Sequence, residues 1–277
     1  MAELELTDDG NARVTIGYPF PQDCARFIRP WCPWCESDRW GTVPMPSPPP
    51  PPSKADVFAI YASAQTFDRY GWPLAVVRCE SCGLTYSREC WTHDGARRFY
   101  ASHYRPLVNA WHGKPAGYDW KAESAAHEAN VQVTVRWYCD EALWDGRLDV
   151  GSMSADHSPG RPRIGTGPES DGELWETARV SSRRGLVTCV QTFDHLIDPR
   201  LAWDKFADAT ATGGMLYVDV VDPHAVLQRG GNPWKSDHVN YVTPRVLRAM
   251  PDPAIWDVTA TGYLPDGVHY YGLWRRK

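Results

Sequence analysis

Long apolar runs are missing from this chain: nowhere does one approach the roughly 20 residues that cross a bilayer. Residues 1–14 are acidic, where a secretory leader would be basic and then apolar. Basic runs are missing too. Lys and Arg number 29 against 34 Asp and Glu, a formal charge of −5, which argues against a nucleic-acid backbone as partner. These absences lead us to expect a cytoplasmic chain that engages neither membrane nor nucleic acid. In that reducing compartment its eight cysteines are expected as thiols or metal ligands rather than disulfides.

What is present suffices for one large domain and a small one: 277 residues, 43% hydrophobic and 23% charged. The 14 Trp suggest aromatic-walled packing or a pocket without deciding between them.

Two CxxC turns stand in the first third of the chain, Cys32-Pro-Trp-Cys35 and Cys79-Glu-Ser-Cys82. One such turn offers two thiolates to an ion, and a pair completes the four-sulfur tetrahedron that zinc favours. We therefore expect Cys32, Cys35, Cys79 and Cys82 to hold a structural zinc. Buried thiols or a redox pair are the alternative. Cys90 and His93 have ligand-like spacing as well, but with four better cysteines at hand they read as packing. Between the turns lies a proline run, 44–52, which reads as an exposed extended spacer, followed by a candidate strand at 57–61.

Residues 186–222 carry a β-α-β signature. Leu186 to Val190 and Met215 to Val221 are short apolar runs suited to buried parallel strands. Between them Asp198 and Pro199 look like an N-cap and first helical residue, Leu201, Ala202, Phe206 and Ala209 share a face, and Gly213-Gly214 turns the chain back. Parallel sheets bind ligands at the carboxyl ends of their strands, which directs attention to Gln191, Thr192, Asp194 and His195.

The order acidic-His pair, Asp-Pro, helix, Gly-Gly and strand resembles the later half of a class I S-adenosylmethionine (SAM) methyltransferase domain. Residues 72–86, with Phe99, Tyr100 and His103 to Arg105, resemble the zinc-binding amino-terminal domain of a group of sugar and natural-product C-methyltransferases. The resemblance implies a Rossmann-like α/β sheet, partly truncated, carrying a small zinc-ribbon-like domain, with SAM as cofactor and a small-molecule acceptor. It also suggests that Tyr100, Tyr104 and Trp111 wall a substrate pocket, with core packing as the other reading. On this basis the zinc domain would cover 1–105, a linker with a bridging helix 106–145, and the methyltransferase-like domain 146–277. Oligomeric state is not fixed.

Leu148, Asp149, Val150 and Gly151 match the glycine-rich cofactor turn of that family, where a Cβ would collide with the cofactor. Met153 and Ala155 stand where the family has glycine, too few residues follow for the usual helix, and Gly167 falls at the acidic ribose-binding position with Glu169 as substitute. The expected cofactor residues are Asp149, Gly151, Glu169, Gln191 and Thr192. Methyl transfer asks for a base that titrates near neutral pH, and His195, His238 and His224 are the candidates, with Asp194 and Asp237 as orienting groups. A fold that has lost SAM and serves in binding or assembly is the alternative.

Elsewhere, 121–143 reads as a helix with Ala125, Ala129, Val133, Trp137 and Leu143 as its apolar stripe. Thr243-Pro244 starts a helix ending near Met250, and 255–261 with 268–274 form closing antiparallel strands around the Pro265-Asp266-Gly267 turn.

Overall fold

The computed structural model describes residues 3–6, 12–15, 20–43, 68, 70, 72, 74–115, 117–118, 120–151, 163–164, 175–180 and 182–277. The proline run, the candidate strand at 57–61, and Met153, Ala155, Gly167 and Glu169 lie outside the described residues. The chain divides into two compact units, Met1–Tyr118 with Pro223–Tyr241, and Asp119–Asp222 with Val242–Lys277.

The first unit contains a hairpin of β1 (Glu3–Leu6) and β2 (Ala12–Thr15), then β3 (Arg26–Ile28), β4 (Trp40–Thr42), β5 (Val76–Cys79), β6 (Thr85–Ser87) and β7 (Glu89–Trp91). Its helices are α1 (His93–Arg98) and α2 (Tyr104–Trp111), joined by a π-helical turn at Phe99–His103. In β5 the alternation puts Val77 and Cys79 inward and Arg78 outward, as a half-buried strand requires. α1 is capped by Thr92, whose hydroxyl accepts from Gly95 N. Tyr100 and Tyr104 belong to an aromatic core with Trp72, Trp91 and Phe99, in which Trp91 stacks on Phe99 at 5.0 Å. They are buried packing groups.

The second unit begins with α3 (Lys121–Arg136) and α4 (Glu141–Asp145), then β8 (Leu148–Val150), β9 (Arg163–Ile164), β10 (Arg184–Cys189), α5 (Pro199–Ala209) and β11 (Thr210–Val221). There the chain leaves it. Pro223–Gln228 (α6) and Asn240–Tyr241 (β12) belong to the first unit, where β12 pairs antiparallel with β6 and extends the sheet to β12-β6-β5-β4. The chain returns with α7 (Pro244–Ala249), β13 (Trp256–Tyr263) and β14 (His269–Arg276).

The second unit's sheet has the order β13-β14-β11-β10-β8-β9. β9, β8, β10 and β11 run parallel, and β14 and β13 close the edge antiparallel. From β8 the chain goes first to one side (β9) and then to the other (β10), so the strand order reverses between β8 and β10. That is a doubly wound, Rossmann-like sheet with its switch point at β8/β10. Val131 and Val135 of α3 pack with Leu186, Met215, Tyr217 and Leu273 on one face. On the other, Trp203 of α5 meets Trp274 edge-on at 5.3 Å.

Three local readings need correction. The stripe of α3 is out of phase: Val131, Val135 and Cys139 are buried, whereas Val133 is 63% and Trp137 83% exposed. Leu201 likewise faces outward on α5, and Trp203 takes its place. α5 ends at Ala209, where Thr210 Oγ1 bonds back to Phe206 O at 2.8 Å, so Gly213-Gly214 lies within β11 rather than at the helix end.

Candidate functional site

The two CxxC turns are built alike. Cys32 N donates to Ser37 O and Glu36 N to Cys32 O; Cys79 N donates to Leu84 O and Gly83 N to Cys79 O. The fifth residue of each turn takes the left-handed conformation, Glu36 at φ +59° and Gly83 at φ +80°. Paired this way, the turns bring the sulfurs together, Cys32 to Cys82 at 3.6 Å and Cys35 to Cys79 at 3.5 Å. One sulfur from each of the four fits within 4.8 Å of the others. A tetrahedron of sulfurs 2.3 Å from a zinc ion has edges of roughly 3.8 Å, so the group fits zinc with little movement. The hydrogen bond from Cys82 pulls the Cys32 thiol down against the effect of burial, and the same bond pushes Cys82 up.

In the second unit, the carboxyl ends of β8 and β10 meet at Gly151 and Thr192. Gly151 has φ +72°, and a Cβ there would lie 2.0 Å from Thr192 Cγ2. Thr192 Oγ1 donates to Gly151 O at 3.0 Å, tying the two strand ends together. Asp149, one residue inside β8, is buried; its Oδ1 accepts from Arg147 Nε at 2.8 Å and from the Thr188 hydroxyl. Asp194 and His195 form a single 3₁₀ turn beyond β10, with His195 Nε2 3.8 Å from Asp194 Oδ1.

His224 and His238 belong to the first unit. His224 is exposed on α6. His238 is buried, its Nε2 4.0 Å from Asp237 Oδ2, which Lys235 Nζ approaches to 3.2 Å.

At the carboxyl ends of β10 and β11, sequence reasoning named Gln191 but missed Asp219, His127 and His269, which surround it. Gln191 sits just past β10 at φ +48°, unusual for a residue with a side chain, and its backbone N donates to Asp219 Oδ1 at 2.6 Å. The other oxygen of Asp219, a fully buried carboxylate on β11, accepts from His127 Nε2 of α3 at 2.8 Å and from Tyr217 OH at 3.3 Å. Burial, with Asp219 alongside, pushes the Tyr217 phenol well up. Gln191 Nε2 lies 3.4 Å from His127 Nδ1 and 2.8 Å from His269 Nε2, and His269 Nδ1 meets Asp266 Oδ2 at 2.5 Å. The two imidazole rings stand edge to face with centroids 4.6 Å apart. The signal was the four-residue spacing His127, Val131, Val135, Cys139, which puts the histidine on the buried face of α3.

No family model matches the chain, and no curated protein sequence matches it. Among solved structures the chain is similar to the DhpI–SAH complex (TM-score 0.43, 14% identity, 65% of this chain and 97% of that one). It is similar also to the N-methyltransferase NodS of Bradyrhizobium japonicum WM9 in complex with S-adenosyl-L-homocysteine (0.40, 12%, 65% and 96%). A third is a SAM-dependent methyltransferase of Thermotoga maritima described as a possible histamine N-methyltransferase (0.43, 14%, 63% and 98%). Scores of this size decide neither fold nor activity.

Proposed function

We propose that the chain is a SAM-dependent methyltransferase acting on a small, sugar-like or natural-product acceptor, with a structural zinc held by Cys32, Cys35, Cys79 and Cys82. The observation that carries this reading is the left-handed glycine turn at Gly151, at the carboxyl end of the first strand of a doubly wound sheet and at its switch point. The glycine leaves room there for the Thr192 side chain that ties the two strand ends together. Gly151 and Thr192 would frame the cofactor, with Gln191 beside them, Asp149 bracing the turn through Arg147 and Thr188, and Glu169 on the ribose. SAM, when bound, supplies the methyl group. The chain's own task is to take a proton from the acceptor, and His195 beside Asp194, in the same unit as Gly151, is the proposed base.

A ligand that binds only the folded chain raises its melting temperature by mass action. S-adenosylhomocysteine at millimolar concentration is expected to raise the melting temperature of the wild type and to leave that of Gly151→Val unmoved. Equal melting curves for the wild type with and without the ligand would reject the cofactor and leave a fold used for binding or assembly.

A further inference from the structure

The hydrogen bonds around Gln191 fix which nitrogen of each imidazole carries the proton. Asp219 Oδ2 is a carboxylate oxygen that only accepts, so His127 Nε2 is protonated and Nδ1 presents its lone pair. By the same reasoning Asp266 takes the proton of His269 Nδ1, and His269 Nε2 presents its lone pair. The two lone pairs converge on the Gln191 amide, 3.4 Å and 2.8 Å from its nitrogen. Two imidazole lone pairs aimed at one point, each ring held from behind by a carboxylate, form the donor set of a metal site with its outer shell already in place.

Gln191 adds a second, independent observation. Its backbone is in the left-handed region at φ +48° and is pinned there by the bond from its N–H to Asp219. Strain of this kind costs free energy and persists only where surrounding contacts enforce it. Its effect is to direct a side chain with both a carbonyl oxygen and an NH₂ at the two rings. The NH₂ satisfies both lone pairs when no cation is present, and a half-turn of the amide brings the carbonyl oxygen to the same place when one is.

We propose that His127 Nδ1, His269 Nε2 and the Gln191 carbonyl oxygen form a site for a divalent transition-metal ion. Two imidazoles and a carbonyl favour zinc, nickel, cobalt or copper over magnesium or calcium, which prefer all-oxygen shells. Asp266 is half-exposed on the rim, and His127 and His269 keep 11% and 15% of their side-chain surface open, so an ion has a way in. The site is separate from the four-cysteine cluster; it shares Gln191 with the proposed cofactor edge, but ion binding there does not depend on methyl transfer.

Cobalt(II) distinguishes the two sites, because a thiolate site shows an intense sulfur-to-metal charge-transfer band in the near ultraviolet and a nitrogen and oxygen site does not. Cobalt(II) titrated into the tag-free full-length chain is expected to populate one environment without that band. His269→Phe keeps the ring packing but removes the ligand, and should abolish this environment while leaving the far-ultraviolet circular dichroism unchanged. Asp266→Asn, which removes only the backing carboxylate, should weaken it by about 10- to 100-fold. Absence of a band-free cobalt environment in the wild type, or its survival at unchanged affinity in both His269→Phe and Asp266→Asn, overturns the proposal.

Discussion

Gly151 concentrates two constraints in one position. At φ +72° any side chain is strained by about 1–2 kcal/mol, and the Thr192 methyl lies where the Cβ would go. Gly151→Ala is therefore expected to lose about 2 kcal/mol or more in chemical denaturation, and a loss under 0.5 kcal/mol would mean the turn relaxes freely. Asp68 offers a test by pH. Its carboxylate accepts from the backbone N–H groups of Tyr70, Trp72 and Ser236, yet burial outweighs these bonds and pushes it up to about 6. A carboxyl raised on folding binds its proton more tightly in the folded state, so its contribution to stability is full below pH 3.8 and is lost as pH rises through about 6. The stability of the wild type relative to Asp68→Asn should fall between those limits; a difference independent of pH would contradict it. Sequence alone pointed to both Gly151 and Thr192 but not to their contact, because two residues 41 apart announce a close approach only once β8 and β10 are adjacent. It led to Asp149 as a cofactor ligand, and the structure ties that carboxylate to Arg147 and Thr188.

Among the elements, β10, β11, α5 and the β13/β14 hairpin were legible because each carries its own local signal: a β-branched run, an Asp-Pro cap, a Pro-Asp-Gly turn. The phase of α3 was not. Hydrophobicity favoured Val133 and Trp137, but the buried face is fixed by partners distant in sequence, Asp219 for His127 and the Leu186, Met215 and Tyr217 core for Val131 and Val135. Val135→Ala should cost more than about 1 kcal/mol, and Trp137→Ala should stay within about 0.5 kcal/mol, since only the first leaves a cavity. Equal costs measured by urea denaturation would restore the other phase. The twin CxxC turns were legible as a pair because each closes within six residues. Cys79→Ser should lower the zinc content of purified protein from about one per chain; a metal-free wild type would reject the site.

At the scale of the whole molecule, the sequence suggested consecutive domains, whereas the compact units interleave: 223–241 leaves the Rossmann-like sheet after β11 and adds β12 to the sheet that bears the second CxxC turn. A two-residue strand has no readable period, so that pairing was invisible beforehand. On the reading proposed above, the carboxyl edge of the doubly wound sheet, where the ends of β8 and β10 meet at Gly151 and Thr192, binds SAM despite its shortened motif. Isothermal titration calorimetry of the full chain with SAM tests it most directly. One site per chain, lost in Gly151→Val, is the predicted result; no heat of binding up to millimolar SAM in the folded wild type would contradict it.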